Sequence, residues 1–525
     1  MQVPLLVNDF LRRAAALYPA KLAVVDGAKR FSYGEYAARV NRLSNALLAH
    51  GVRKGDRVCM LSPNSHYFLE SFYGTSQIGA VLVPLNYRLV AADHEYILDH
   101  AGVTVVLVDP EHLHLVEGIR DRLGAVRHWV STQDGGGAPA GFTSFDDFVG
   151  DASADEPPPV ELDENDLVSI NYTSGTTARP KGVMLTHRNC VLNAYNLIAH
   201  LGVRHDDVEL WTLPMFHCNG WGGVYATTGV AGTHVVLRAI DGAEIWRLIE
   251  REGVTFACMA PAVLRTVLDY PDRTRHVVRT RPRFAVAGAP PPSAFIERLE
   301  TELGWEFMQL YGLTETSPLI TISRPDFATD PRDWGRRARA GVPGLGVEIV
   351  LRGDDGRPVP KDGRTVGEVC ARSNVVFAGY WRQPEATADA IRDGWFHTGD
   401  LGVWDASGSI QLVDRKKDVI ISGGENISSP EVEDALFQHP AVLECAVIGV
   451  PHEKWGETPK ALVVLRPGAS ASPEALIAFC RERLAHFKCP TSLELVPELP
   501  RTATGKLQKF KLRERYWQGR ERRIS

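Results

Sequence analysis

The sequence predicts an α/β protein: a large N-terminal domain, residues 1–414, of parallel-rich sheets covered by helices, then a small α+β C-terminal domain, residues 415–525. Three observations predict it. Strand-like and helix-like hydrophobic patterns alternate through the first half. From about Lys417 the grain changes to short alternating strands with two helical segments, which reads as a separate unit of about 110 residues. The 525 residues are 44% hydrophobic and 23% charged, with a net charge of −6. That is ordinary globular usage and excludes a disordered chain, a fibre or a heptad rod. The length suggests three or four structural units and supports a large core.

The elements follow in order. Phe31–Gly51 has helical apolar spacing, with Ser32 as cap and Gly51 as stop. Arg57–Leu61 reads as a strand, Ser65–Ile78 as a helix, and Ala80–Leu85 and Val103–Val108 as further strands. Gly-, Pro- and acid-rich stretches at 132–139 and 155–166 read as surface loops. Strand-like runs resume at Leu167–Tyr172, Thr233–Arg238, Thr255–Met259 and Arg283–Ala287, with helical segments between them. In the tail the strands are Leu443–Val450, Lys460–Arg466 and Ser492–Val496, and the helices Ser429–Gln438 and Ser472–Phe487.

Composition narrows the setting. The mildly acidic balance gives no reason to expect a nucleic acid. The N-terminus lacks the basic n-region of a secretory signal, no window approaches the ~20 apolar residues of a membrane helix, and Arg-Ile-Ser at the end is not a peroxisomal address. The eight cysteines are scattered without a C-x-x-C pair, so buried, reduced thiols in a cytoplasmic protein are expected.

Four stretches carry chemistry. Tyr172-Thr-Ser-Gly-Thr-Thr-Ala-Arg-Pro-Lys-Gly182 packs four Ser/Thr hydroxyls, two glycines, an Arg and a Lys directly after a buried strand. Small residues let backbone N–H and O–H groups surround a phosphate, and Lys181 adds a point charge. Pro180, where a second Gly would be needed, excludes a Walker A loop. Gln309-Leu-Tyr-Gly-Leu-Thr-Glu315 places an aromatic beside a Gly, then a hydroxyl and a carboxylate able to share a phosphate and Mg²⁺. Gly394–Asp400 and Asp414-Arg-Lys-Lys-Asp418 supply a carboxylate suited to ribose hydroxyls and a cation that could bridge to phosphate or sugar. By itself the charged run reads as a solvated turn. Leu499-Pro-Arg-Thr-Ala-Thr-Gly-Lys506 ends in a lysine on a Gly-containing turn.

Together with LPMFHCNGW, GAPPP, DVIISGGENISS and the WGE at Trp455–Glu457, these stretches resemble the adenylate-forming superfamily of acyl-CoA synthetases, peptide-synthetase adenylation domains and luciferases, over essentially the whole chain and in the family's order. Met215–Trp221, Gly288–Pro292 and Gly423–Ser429 look like the acyl-CoA ligase branch acting on short-to-medium fatty acids, methylthioalkanoates, or benzoate- and cinnamate-type acids.

The resemblance implies an ATP-dependent acid–thiol ligase that forms acyl-AMP and pyrophosphate, then passes the acyl group to CoA. It implies these roles. Lys506 bridges the carboxylate and the α-phosphate. Thr173, Ser174, Gly175, Thr176, Thr177 and Lys181 hold the β- and γ-phosphates. Thr314 and Glu315 hold phosphate and Mg²⁺. Tyr311 and Gly312 lie at adenine beside the Gly288-Ala289-Pro290 turn, and Asp400 and Arg415 bind ribose. The C-terminal domain is mobile, pivots near Lys417, and brings Ser422, Gly423, Gly424 and Glu425 to the CoA arm. His217 alternates between phosphate and the thiol tunnel; on residue type alone it reads as a buried structural histidine.

The acyl pocket draws by analogy on Trp221, Gly222, Val286, Ala287, Gly312 and Thr316. Ala287 stands where many such relatives carry a second Gly. Trp221 either closes the pocket floor, favouring short or flat acids, or packs as core. Expected partners are a small carboxylic acid, ATP, and CoA or an acyl carrier protein; a homodimer is left open. A second reading keeps adenylation but transfers to a carrier-protein phosphopantetheine or another nucleophile. A third, a non-catalytic nucleotide sensor, would need a damaged site.

Overall fold

The computed structural model describes residues 1–133, 137–173, 179–327, 330–415, 418–422, 425–501 and 507–517. The helix over the first predicted segment is Tyr33–Ala49, and Ser32 caps it through a reciprocal capping box with Glu35. Arg57–Leu61 and Val103–Val108 are strands with the predicted bounds. Pro473–Arg481 is shorter than predicted and is followed by a separate turn at His486–Lys488.

Among the described residues a nine-stranded sheet runs in space through Val342–Pro343, Leu319–Ser323, Glu306–Gly312, Arg283–Val286, Phe256–Met259, Val208–Trp211, Thr233–Val236, Leu22–Asp26 and Lys29–Ser32. Its centre is parallel and its margins antiparallel. An eight-stranded sheet orders Gly379–Tyr380, Lys181–Thr186, Leu167–Thr173, Val81–Leu85, Arg57–Leu61, Val103–Val108, His128–Ser131 and Thr143–Ser144. Here the hairpin 167–186 and the short strand 379–380 supply the antiparallel edge.

The main core lies between these two sheets. It joins Val24, Ala285 and Met308 of one to Val58, Met60 and Leu82 of the other, through helices such as Tyr33–Ala49, His66–Ser76 and His187–Leu201. Further helices cover the outer faces: Gly242–Glu252, Pro261–Asp269 and Ser293–Glu302 on the first, Ala91–Ala101 on the second. Strand alternation sorts side chains between layers. Phe284 and Val286 enter the outer core, while Ala285 and Ala287 enter the inner one.

A third, antiparallel sheet contains Val347–Arg352, Gly367–Ser373, Trp395–Trp404 and Ile410–Arg415. Sheet membership changes after Arg415. Ile420–Ser422, Glu425–Ile427, Gly456–Leu465, Val442–His452 and Ser492–Leu495 form a fourth sheet with its own core. This small lobe rests on the large one through named contacts. Arg265 meets Glu444 at 2.6 Å, and Ser293 donates from its N–H to Asp434 at 2.7 Å. Phe295 meets Phe437 edge to face. All eight cysteines are free and buried, and no described helix is long and apolar enough to cross a membrane.

Candidate active site

The hairpin Leu167–Thr173/Lys181–Thr186 sets Thr173 opposite Lys181 in register. Ser174, Gly175, Thr176 and Thr177, between the two strands in sequence, lie outside the described residues. The return arm is pinned from the helix Ala91–Ala101. Tyr96 donates its hydroxyl to the Pro180 carbonyl (3.4 Å) and lies under the Arg179 guanidinium (5.1 Å). The Lys181 ammonium sits 4.8 Å over the ring of Tyr380.

The strand Glu306–Gly312 delivers the second stretch and ends in the turn Thr314–Thr316. Gly312 permits the chain to double back: a Cβ there would fall 1.6 Å from the Pro318 carbonyl oxygen. Glu315 accepts the Tyr380 hydroxyl at 2.9 Å. Burial, and next the Glu315 charge, push the Tyr380 phenol up. Tyr311 donates to Asp400 at 2.8 Å, and Arg415, opposite Asp400 in its sheet, approaches that carboxylate at 3.7 Å. Burial and the Asp400 charge raise the Tyr311 phenol, so it stays a donor.

Of these groups, Tyr311, Gly312 and Thr314 border a cavity. Ala287 and Gly288 line one wall, Leu310–Thr314 another, and His217, Cys218 and Trp221 a third. Leu197, Pro318 and Leu319 complete it, and no charged side chain is among the lining. Trp221 both lines the cavity and belongs to the inner core. Ala289 and Pro290 continue from Gly288 as exposed residues.

Three expected pocket residues are elsewhere. Val286 points to the outer core, because its strand neighbour Ala287 occupies the cavity face. Thr316 is fully buried and uses its hydroxyl inside the turn, with Leu313 and Pro318. Gly222 is buried with φ +82°, and a Cβ there would meet the Asn193 amide nitrogen at 2.2 Å; its role is backbone clearance behind Trp221.

Ser422 and Glu425 pair in a hairpin of the fourth sheet, and Ser422 also faces Gly456. Neither Ser422 nor Glu425 is among the described residues lining the cavity, which run from residue 197 to 319. Gly423, Gly424, the pivot Lys417 and Lys506 lie outside the described residues. Arg501 and Leu507, flanking the lysine turn, pair as an isolated bridge, and Arg501 reaches Glu444 at 3.0 Å.

Sequence reasoning missed Tyr380 and Leu197. Leu197 follows Asn193 by one helical turn, a spacing that could have pointed to it. Tyr380 had no local signal.

Glu315 and Thr314 offer hard oxygen donors, which suit Mg²⁺. Among the described residues two other groups, Asp109–Glu111–His112 and Glu368–Cys370–His397, have ligand-like composition, but their carboxylates already have partners. Arg238 bridges Asp109 and Glu111 at 3.1 Å each. His397 contacts Glu368 at 3.2 Å and Cys370 at 3.4 Å.

The family profile described as "AMP-binding enzyme" matches residues 11–381, and "AMP-binding enzyme C-terminal domain" matches 431–506. The chain belongs to the AMP-binding enzyme family. It is 39% identical over 515 residues to 4-hydroxybutyrate–CoA ligase 2 of Metallosphaera sedula, covering 96% of this chain and 93% of that one. It is also 39% identical over 521 residues to a long-chain-fatty-acid–CoA ligase of Thermus thermophilus, covering 97% and 95%. Among solved structures it resembles an anthranilate CoA ligase in complex with anthranoyl-AMP, with a TM-score of 0.92, 30% identity and 98% of each chain covered.

Proposed function

We propose that the protein is an AMP-forming acid–thiol ligase that activates a small carboxylic acid with ATP and passes the acyl group to CoA. In the first step a carboxylate oxygen bonds to the α-phosphorus, the bond to the β-phosphate oxygen breaks, and pyrophosphate leaves. In the second, the CoA sulfur bonds to the acyl carbon, its proton goes to solvent, and AMP leaves with the electron pair of the acyl–oxygen bond. The observation that carries this reading is an uncharged cavity opening between Tyr311–Thr314, Gly288 and His217. In this reading the acyl tail lies there, beside residues suited to a nucleotide.

In this reading Tyr311 and Gly288 flank adenine. Asp400, held by Tyr311 and Arg415, takes the ribose hydroxyls. Thr173 and Lys181 hold the outer phosphates with the 174–177 hydroxyl turn, and Thr314 and Glu315 hold the metal end. Mg²⁺ bound there supplies charge neutralisation for the leaving pyrophosphate. Lys506 bridges acid and α-phosphate in the first step. A swivel of the small lobe about Lys417 then exchanges Lys506 for the hairpin carrying Ser422–Glu425, and His217 opens the way for the thiol.

The apolar lining favours acids with short or flat uncharged tails and rejects a second carboxylate, which would be buried without a partner. The test is pyrophosphate–ATP exchange across a panel of short, medium, aryl and dicarboxylic acids, followed by thioester formation with CoA or a carrier protein. Exchange with monocarboxylic acids and a CoA thioester as product are expected. Exchange confined to dicarboxylic acids, or transfer to carrier protein alone, would replace this reading.

A further inference from the structure

The segment 374–381 stitches together two motifs that lie 134 positions apart in sequence, counted from Lys181 to Glu315. On one side, the Phe377 N–H donates to the Glu315 carbonyl (2.9 Å) and the Ser317 hydroxyl to the Val375 carbonyl (2.9 Å). On the other, the Ala378 and Trp381 N–H groups donate to Met184 (3.0 Å) and Gly182 (2.7 Å), and Tyr380 pairs with Val183. Tyr380 is itself fixed: its N–H donates to Thr387 Oγ1 at 2.9 Å, and its ring meets Phe377 edge to face at 4.8 Å. From that frame its side chain reaches both motifs, with the hydroxyl on Glu315 at 2.9 Å and the ring face under Lys181 at 4.8 Å.

We propose that Tyr380 is a positioning residue for the metal–phosphate end of the site, orienting the Glu315 carboxylate through its hydroxyl and holding the Lys181 ammonium on its ring. The proposal rests on the functional reading above. Hydrogen bonds to charged groups and cation–π contacts are each strong enough to matter here. One side chain thus keeps a carboxylate and an ammonium ready for the metal and the phosphate, and it does so through two chemically separable contacts.

That separability gives the test. Tyr380→Phe removes the hydroxyl and keeps the ring; Tyr380→Leu removes both. ATP affinity is measured by calorimetry in EDTA and in a Mg²⁺ series, and Mn²⁺ binding with ATP by electron paramagnetic resonance. For Tyr380→Phe the expectation is a roughly tenfold rise in the Mg²⁺ midpoint, weaker Mn²⁺ binding and unchanged affinity in EDTA. For Tyr380→Leu, affinity in EDTA also falls, by about threefold to tenfold. Should Tyr380→Leu fail to fold, Tyr380→Met takes its place. A Tyr380→Phe protein with wild-type metal dependence would overturn the proposal, as would equal losses with and without metal in both variants. A wild-type protein that binds no Mg²⁺·ATP would instead sink the functional reading itself.

Discussion

Glu209 is a carboxyl buried in the sheet centre, 1% exposed, accepting the Thr227 hydroxyl at 2.6 Å. Burial pushes it up to about 8. Its folded value exceeds its unfolded one, so its contribution to stability is complete below about pH 4.5 and is lost as pH rises towards 8. The slope is roughly 1.4 kcal/mol per pH unit within that window. Glu209→Gln should remove this slope, making the variant relatively more stable at pH 8 than at pH 5; urea melts at both values check it, and parallel curves would contradict it. A second residue, Trp221, walls the cavity. Trp221→Leu should shift preference to longer acids, by about fourfold in kcat/KM for each methylene accommodated. An unchanged chain-length profile would place Trp221 in the core alone.

Between elements, Arg265 bonds to Glu444, Glu444 also takes Arg501, and Asp434 caps Ser293 at the start of a large-lobe helix. These contacts hold one lobe arrangement and must break if the small lobe swivels. Arg265→Ala should therefore change the ratio of adenylation to thioester formation from supplied acyl-AMP by severalfold, on the order of 1 kcal/mol. Equal changes in both half-reactions would mean the contact is only structural. At this scale the sequence was most legible. Strands such as Arg57–Leu61 and Val103–Val108 read directly, being short apolar runs with polar punctuation, and Ser32 announced its helix. The expected acyl pocket was less so. Ala287, Gly312 and Trp221 line the cavity, but Val286 does not, because strand alternation turns adjacent side chains to opposite layers. Thr316 is consumed by its own turn. Tyr380 was illegible because its importance comes from a two-residue edge strand meeting two distant motifs, which no local pattern encodes.

For the whole molecule, two large sheets enclose helices, a third sheet carries Asp400 and Arg415, and a small fourth-sheet lobe carries the chain on either side of Lys506. The order of motifs along the chain made the family legible. The acid stays unread, since it depends on cavity shape set by residues from several elements. In the proposed mechanism adenylation and thiol transfer use one nucleotide site, with Lys506 present only for the first. The most direct measurement compares wild type with Lys506→Ala in acid-dependent pyrophosphate–ATP exchange without CoA, and in thioester formation from supplied acyl-AMP. Exchange should fall by at least about 100-fold while thioester formation stays within about threefold. Equal loss in both reactions, or exchange in wild type that requires CoA, would contradict it.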